Sequence, residues 1–238
     1  MKIFLLLLFF PLVCFSQQTN HQVSLDTGFV IHLNEESGLV AYDNGMQQNF
    51  AYIGTAKVDK CIVGSCRDFN GTTDLVNKVY ALNHAQFSFS LWAYSTSTNG
   101  AYRCMFSDVD GLGYGAIIMR IVSDTDLQFY VYQTSGGHQA VFGTGLFQNN
   151  KWHFIVGTFS LTSNYQRLYL DGKLIGSRTP VSAINPTAGG VIEIGRMWHP
   201  GGAHYWDGRL DEVVLHMGKE LSQAEVSYLY TNQVGGHQ

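Results

Sequence analysis

Charged residues are scarce in this sequence. Asp, Glu, Lys and Arg make up 13% of its 238 residues, which is about half the usual share in soluble proteins. Lys and Arg number 14 against 18 Asp and Glu, so the formal net charge is −4, and they form no cluster along the chain. Because nucleic acids and anionic lipids are bound through concentrated positive charge, the composition argues against both kinds of partner.

Long apolar runs are absent after the first 16 residues, so we expect no transmembrane segment. At the N-terminus, Lys2 precedes an apolar stretch at 3–13, and Cys14 and Ser16 place small residues at positions −3 and −1 of a cut after Ser16. This layout is typical of a secretory signal peptide, here residues 1–16. It predicts a secreted, periplasmic or cell-surface protein. A buried strand, an uncleaved anchor and a lipid on Cys14 are the alternatives.

Cysteine is also rare, and only Cys61, Cys66 and Cys104 follow the predicted cut. Export makes a disulfide permissible. Four residues that include Gly64 separate Cys61 from Cys66, so the chain can turn back and a disulfide between them is expected. The odd count leaves one thiol over, and Cys104 is predicted to be a buried core thiol.

Helical periodicity is almost missing, and apolar residues instead recur at every second position, as at 87–93 and 127–131. Such alternation predicts strands. Asp171-Gly172 stands between two apolar runs and predicts a type I′ hairpin turn. Ser222 and Glu225 form a capping box that starts one short C-terminal helix. Without helical crossovers a doubly wound α/β fold is excluded.

These patterns predict an all-β protein with a two-sheet antiparallel sandwich and one short C-terminal helix. No internal repeat divides the chain. Residues 17–37 are polar and are expected to form an N-terminal arm or an edge strand. Residues 38–238 are expected to form a single domain.

Five segments then resemble laminin-G-like domains of the concanavalin A-like lectin/glucanase type. In chain order they are 68–76, 87–92, 151–156, 168–175 and 210–225. The resemblance covers most of the chain from residue 37 to residue 231 and implies a jelly roll of two antiparallel sheets. Folds of this kind host many functions, so function has to be argued from the site.

The resemblance also implies one structural calcium between the closing strand and an early loop. The matching residues are Asp211 on the strand and Asn70 and Asp74 in the loop. Oxygen ligands suit calcium, although Asn70 stands where similar domains often have an aspartate. The alternative is that Asp211 accepts hydrogen bonds from backbone amides. No H-E-x-x-H or C-x-x-C motif indicates a transition metal.

Motifs for hydrolysis are missing. No triplet of alternating carboxylates is present, and no G-x-S-x-G elbow. Asp211 and Glu212 are adjacent, so strand alternation predicts that they point to opposite faces and cannot act as a pair. The sequence therefore predicts a protein that is not an enzyme.

The loop 196–206 is the strongest candidate for ligand binding. Glycines and a proline at its centre are incompatible with regular structure. Aromatic rings stack on the apolar faces of sugars, and imidazole or guanidinium groups bond hydroxyls. The predicted ligand-binding residues are Arg196, Trp198, His199, His204 and Tyr205. Trp206 is excluded because it matches a core position of the similar domains.

Together these features predict an exported, non-catalytic binding module for a carbohydrate or for a cell-surface or extracellular protein. A structural or adhesion protein that self-associates is the alternative, and a glycan-active hydrolase is third. The first function requires an aromatic platform beside polar groups, whereas the second requires a broad exposed apolar face. The sequence leaves the oligomeric state open.

Overall fold

The computed structural model describes residues 28–80, 82, 84–98, 100, 102–109, 115–185, 190–199 and 201–235. The predicted signal peptide at 1–16 lies outside the described residues. The strands are β1 Gly28–Ile31, β2 Val40–Ala41, β3 Phe50–Ile53, β4 Ala56–Asp59, β5 Ser65–Asn70, β6 Leu75–Val79, β7 Gln86–Tyr94, β8 Arg103–Val109, β9 Gly115–Ile121, β10 Leu127–Gln133, β11 Gly137–Gly143, β12 His153–Ser160, β13 Tyr165–Leu170, β14 Lys173–Arg178, β15 Val191–Ile194, β16 Arg196–Met197, β17 His204–Tyr205 and β18 Asp207–Met217. A helix, α1, spans Gln223–Gly235.

The strands of the described segments form two antiparallel sheets of eight strands each. Sheet I has the order β14-β13-β12-β7-β18-β5-β4, with β1 paired to β18. Sheet II has the order β11-β10-β9-β8-β15-β6-β3-β2. The short strands β16 and β17 form a separate hairpin. The predicted two-sheet jelly-roll sandwich with one C-terminal helix is confirmed.

The main core lies between the two sheets and is lined by the inward residue of each alternating pair. Phe89 on β7 of sheet I meets Phe106 on β8 of sheet II, with ring centroids 4.4 Å apart. Met119 on β9 and Phe129 on β10 are fully buried in the same cluster. Burial of each such side chain stabilises the fold by about 1.5–3 kcal/mol. The apolar residues at alternate positions, from which the strands were predicted, are the residues that face this core.

Helix α1 covers the outer face of sheet I. Trp92 on β7 stacks against Tyr230 of the helix at 5.7 Å between ring centroids, and the indole Nε1 donates to Gln233. The predicted capping box is present, since the backbone N–H of Ser222 donates to Glu225 at 2.8 Å and that of Glu225 donates back to the Ser222 hydroxyl. The helix therefore begins where the sequence predicts it.

The turn between β13 and β14 has the predicted conformation. Asp171 and Gly172 both have positive φ, 50° and 79°, as a type I′ turn requires. The Asp171 carboxylate also accepts the backbone N–H of Phe154 at 3.0 Å. The hairpin is thereby joined to β12.

Within the segment 17–37, predicted as an arm or an edge strand, residues 28–31 form a fully buried strand of sheet I that pairs with β18. The rest of the predicted arm up to residue 27 lies outside the described residues. The predicted disulfide between Cys61 and Cys66 is confirmed, and Cys104 is a buried free thiol. Within the described segments, no helix combines the length and apolarity needed to cross a bilayer.

Candidate functional site

The outer face of sheet II is unusually rich in aromatic side chains. On β10, Tyr130 and Tyr132 alternate with the inward-facing Phe129 and Val131. On β9, Arg120 belongs to the same outer face because its neighbours Met119 and Ile121 are in the main core. Strand alternation thus places two phenols and a guanidinium on one surface.

Six of these outer side chains form a continuous row, which we call the aromatic stripe. It runs across β11, β10, β9, the start of β8 and β17. Its members are Tyr132, His138, Tyr130, Arg120, Tyr102 and His204. From β11 to β8 the stripe crosses about 15 Å of sheet, given about 4.8 Å between neighbouring strands.

Ring contacts join the members of the stripe in two neighbouring groups. The His138 imidazole lies edge-on to both Tyr132, at 4.6 Å between centroids, and Tyr130, at 4.9 Å. Tyr102, whose surface is 45% exposed, contacts the His204 ring at 5.2 Å. The Arg120 guanidinium lies 4.6 Å from the centre of the Tyr102 ring. These contacts hold the rings in fixed positions, which lowers the conformational entropy that a ligand would have to remove.

Arg120 lacks the carboxylate partner that four other arginines have among the described residues. Its Nε donates to Gln128 Oε1 at 2.6 Å, and among the described residues no carboxylate lies within salt-bridge distance of it. Other arginines do have such a carboxylate, in the pairs Arg67–Glu35, Arg167–Glu220, Arg196–Glu193 and Arg209–Asp68. Arg120 is half-buried, and among the described residues no carboxylate neutralises its charge at the stripe.

Buried apolar side chains lie beside the stripe on the same face of sheet II. Cys104, Ile118 and Met197 are buried in a cluster that also includes Tyr130. Burial raises the pKa of the Cys104 thiol well above its usual range, so the thiol stays protonated and is not a nucleophile. The cluster fixes the position of Tyr130 and of the β16–β17 hairpin that carries His204.

The positive field of Arg120 extends along the stripe. Burial is the main cause that lowers the pKa of His138 and of His204, and the nearby Arg120 charge lowers both further. His199 lowers that of His204 further. Both imidazoles are therefore neutral at pH 7 and offer one donor and one acceptor each.

The predicted loop is a hairpin, and only part of it reaches the stripe. His204 is a member, and His199 lies 6.2 Å from it between ring centroids. Trp198 is 40% exposed. The guanidinium of Arg196 is engaged by Glu193 and lies 5.9 Å from the Tyr205 ring centre. Arg196 and Tyr205 thus mainly brace the hairpin. Pro200 lies outside the described residues.

The structure does not bring the predicted calcium ligands together. Asn70 pairs with Asp207, and Asp211 is four residues further along β18, about 13 Å away at about 3.3 Å per residue. The Asn70 side-chain oxygen accepts the N–H groups of Thr72 and Thr73, both at 2.9 Å. Asp74 accepts the N–H of Asn70 at 3.2 Å. These residues do not fit one shared calcium ion.

Asp211 itself is directed at the disulfide loop. Its Oδ2 accepts the backbone N–H of Val63 at 2.9 Å, which matches the alternative that it caps backbone amides. Among the described residues no group of three His, Cys, Asp or Glu side chains is arranged to hold a metal ion.

Asp211 and Glu212 do not alternate as predicted, because β18 has a bulge between Asp211 and Val214. Glu212 adopts a φ of 49°. Leu210 and Val213 both lie in the main core, so the two carboxylates between them both lie outside it. Glu212 bonds His32 Nδ1 at 2.8 Å. Both carboxylates are buried and neither lies in an open site.

Several stripe residues were not predicted as site residues from the sequence. They are Tyr102, Arg120, Tyr130, Tyr132 and His138. One signal was available, since Tyr130 and Tyr132 stand at the alternate positions of a strand whose other face is apolar. A strand with rings on its outer face is covered by another element or carries a binding surface.

Comparison with known protein families gives a match over about two thirds of the chain. A model described as the concanavalin A-like lectin/glucanases superfamily matches residues 69–227. No curated protein matches the sequence significantly.

Solved structures with a similar fold include three structures of two binding domains. The binding domain of Paraclostridial Mosquitocidal Protein 1 has a TM-score of 0.67 at 16% identity, over 86% of this chain and 51% of that chain. The binding domain of botulinum neurotoxin DC in complex with rat synaptotagmin II has a TM-score of 0.65 at 16% identity, over 87% and 52%. The same domain in complex with SialylT has a TM-score of 0.63 at 15% identity, over 87% and 52%. The chain spans about half the length of these structures, and at such identities the likeness concerns the fold alone.

Proposed function

Because the chain belongs to the concanavalin A-like lectin/glucanases superfamily, we propose that it is a non-catalytic module that binds a glycan along the aromatic stripe. The observation that carries this proposal is the row of braced rings from Tyr132 to His204. The faces of phenol rings stack on the apolar faces of sugars, and neighbouring imidazole and guanidinium groups bond hydroxyls. A row about 15 Å long suits a short oligosaccharide better than a single small molecule.

Two kinds of partner are consistent with the similar folds. One botulinum neurotoxin binding domain was solved with a protein, synaptotagmin II, and with SialylT. Of these two, we favour the glycan for this chain because its stripe combines the exposed ring of Tyr102 and the half-buried ring of Tyr132 with side-chain donors. The predicted signal peptide and the Cys61–Cys66 disulfide support a location outside the cytoplasm, whether secreted, periplasmic or on the cell surface.

The proposal includes no catalytic step. Asp211 and Glu212 are the paired carboxylates of the closing strand, and both are buried. Glu212 is bonded to His32 and Asp211 to Val63. A glycosidase needs two carboxylates that reach the two sides of a scissile bond. The carboxylates of Asp211 and Glu212 are instead buried and hydrogen-bonded to other groups of the protein.

A glycan array with the purified chain tests the proposal. Tyr102→Ala and Tyr132→Ala each remove a ring of the stripe, and Tyr228→Ala removes a ring that is 50% exposed on helix α1, at the opposite face of the sandwich. We expect the stripe variants to bind the retained glycans about two- to ten-fold more weakly, the range expected for one lost stacking contact. The Tyr228→Ala variant should bind as the unaltered chain does.

Two results would contradict the proposal. Retention of no glycan by the unaltered chain would remove carbohydrate as the ligand. Full affinity in both stripe variants, with melting temperatures unchanged, would move the site elsewhere.

A second function, self-association, is favoured by one other surface. The outer side of sheet II at β2, β3 and β6 exposes Val40, Ile53 and Val79, the last at 78%. Exposed apolar patches mark protein contacts in many soluble proteins. If a second copy covers this patch, light scattering at rising concentration should show a dimer that Val79→Asp dissociates. A monomer at all concentrations would exclude this function.

A further inference from the structure

We propose that the ligand of the aromatic stripe is an acidic glycan, in which a carboxylate or sulfate group on the sugar pairs with Arg120. This inference rests on the proposed glycan-binding function and specifies its chemical class.

The orientation of Arg120 supports an anion as its partner. One guanidinium nitrogen, Nε, is used by Gln128, and the face of the group lies against Tyr102. The terminal nitrogens have no carboxylate within salt-bridge distance among the described residues. A guanidinium held by one edge and one face offers its remaining N–H groups in a fixed direction, and such a fork suits the paired oxygens of a carboxylate or sulfate.

The charges around the stripe point the same way. Glu193 on β15 is a carboxylate on the outer face of this sheet beside the hairpin, and Arg196 neutralises it through two hydrogen bonds. Burial is the main cause that lowers the pKa of His138 and His204, and the Arg120 charge lowers both further. The stripe is therefore locally positive on a chain whose formal net charge is −4. An anionic ligand gains from this local field, whereas a neutral sugar does not.

Tyr102 and Arg120 would recognise different parts of such a ligand, the sugar ring and its oxyanion. Tyr102 lies against one side of Arg120, so a sugar ring stacked on its exposed surface would bring a ring substituent close to the guanidinium. A half-buried charge pair is less screened by salt than a fully exposed one. The geometry accordingly favours a sugar that combines a stackable ring face with an oxyanion.

Matched pairs of probes separate charge from ring shape. Oligogalacturonate and its methyl ester differ only in the carboxylate charge, and dextran sulfate and dextran differ only in the sulfate groups. These pairs are measured by titration calorimetry together with the array, which carries other acidic and neutral glycans. Arg120→Gln removes the charge and Arg120→Lys keeps it without the fork. As a control, Lys173→Gln removes the charge of an exposed lysine on β14, beside the turn that contacts helix α1.

We expect the unaltered chain to bind the charged member of at least one pair, or acidic array glycans, about ten-fold more tightly than the neutral counterpart. Arg120→Gln should reduce affinity for the charged member to that for the neutral one, Arg120→Lys should keep part of the preference, and Lys173→Gln should change neither affinity. Added salt should weaken binding of the charged member alone. This last measurement uses the unaltered chain and does not depend on the folding of a variant.

The outcomes distinguish the two proposals. Equal binding of charged and neutral glycans would overturn the acidic preference and leave the glycan-binding function standing. Binding of no glycan would overturn both. Preference for the sulfated over the carboxylated probe, or the reverse, identifies which oxyanion Arg120 pairs with.

Discussion

The backbone N–H of Val63 donates a hydrogen bond to Asp211 Oδ2 at 2.9 Å, although 148 residues separate them. The contact joins the disulfide loop to the centre of β18. Burial raises the pKa of Asp211 to about 8, the Val63 amide opposes this rise, and the nearby Glu212 charge adds to it. The carboxyl group is therefore largely neutral in the folded chain at pH 7 and ionised in the unfolded chain.

This shift predicts how stability depends on pH. Between pH about 4 and about 8 the folded state holds a proton that the unfolded state has lost, so the Asp211 contribution to stability falls as pH rises, by on the order of 1 kcal/mol per pH unit. Asp211→Asn keeps the acceptor for Val63 without a titrating charge. The melting temperature of the Asp211→Asn variant minus that of the unaltered chain should therefore increase from pH 5 to pH 8.

An exposed carboxylate provides the control. Asp59→Asn alters a carboxylate that is exposed on β4 and should leave the pH profile unchanged. A melting-temperature difference between Asp211→Asn and the unaltered chain that stays constant with pH would show that Asp211 is ionised in the fold.

The disulfide should stabilise the chain by restricting its unfolded state. A loop as short as that between Cys61 and Cys66 is expected to contribute about 2 kcal/mol. The double variant Cys61→Ser with Cys66→Ser should lower the free energy of unfolding by about this amount in a denaturant titration. Intact-mass measurement after alkylation of the denatured, unreduced mature chain should find one modified cysteine, Cys104. Three modified cysteines would show that the bond is absent.

The sequence predicted most of the fold because the strands that line the main core alternate without interruption. Phe87, Phe89 and Leu91 are all buried there, and the capping box at Ser222 marks the helix start. The bulge at Glu212 was missed because a non-glycine residue adopts the positive φ, which leaves no sequence signal. It invalidates the expected opposite orientation of Asp211 and Glu212.

The stripe could be predicted only in part. His204 lies in a loop whose composition is conspicuous, but Tyr102, Arg120 and His138 come from separate segments that strand pairing alone makes neighbours. Arg120 pairs with Gln128, and Tyr132 with His138, in the registers of β9–β10 and β10–β11. Those registers depend on the global fold, which local patterns do not specify.

Calcium binding stays a prediction that the resemblance implies and that melting experiments can test. Because Asp211 and Asn70 are about 13 Å apart along β18 and β5, a rise in melting temperature caused by calcium should depend on one of these residues rather than on both. Thermal melts in chelator and in millimolar calcium, repeated with Asp211→Asn and Asn70→Ala, measure this. A calcium-dependent rise that both variants abolish would show that the two positions share an ion.

Trp198 tests how far the ligand extends onto the β16–β17 hairpin. Its side chain is 40% exposed, whereas Trp206 is fully buried in the main core. Trp198→Ala should weaken glycan binding while shifting stability by no more than about 0.5 kcal/mol. Trp206→Ala should cost about 3–5 kcal/mol. If Trp198→Ala leaves affinity unchanged, the hairpin tip is outside the site, and a large loss of stability would place Trp198 in the core.

The most direct test of the account is to observe the imidazole resonances of the histidines by NMR while the best-retained glycan is titrated. His138 and His204 belong to the stripe, whereas His216 lies on β18 of the opposite sheet. Burial is the main cause that lowers the pKa of His216 to about 4. We predict that the His138 and His204 signals shift in proportion to occupancy and that the His216 signal does not move. A titration that shifts His216 but leaves His138 and His204 in place would contradict the assignment of the stripe as the ligand site.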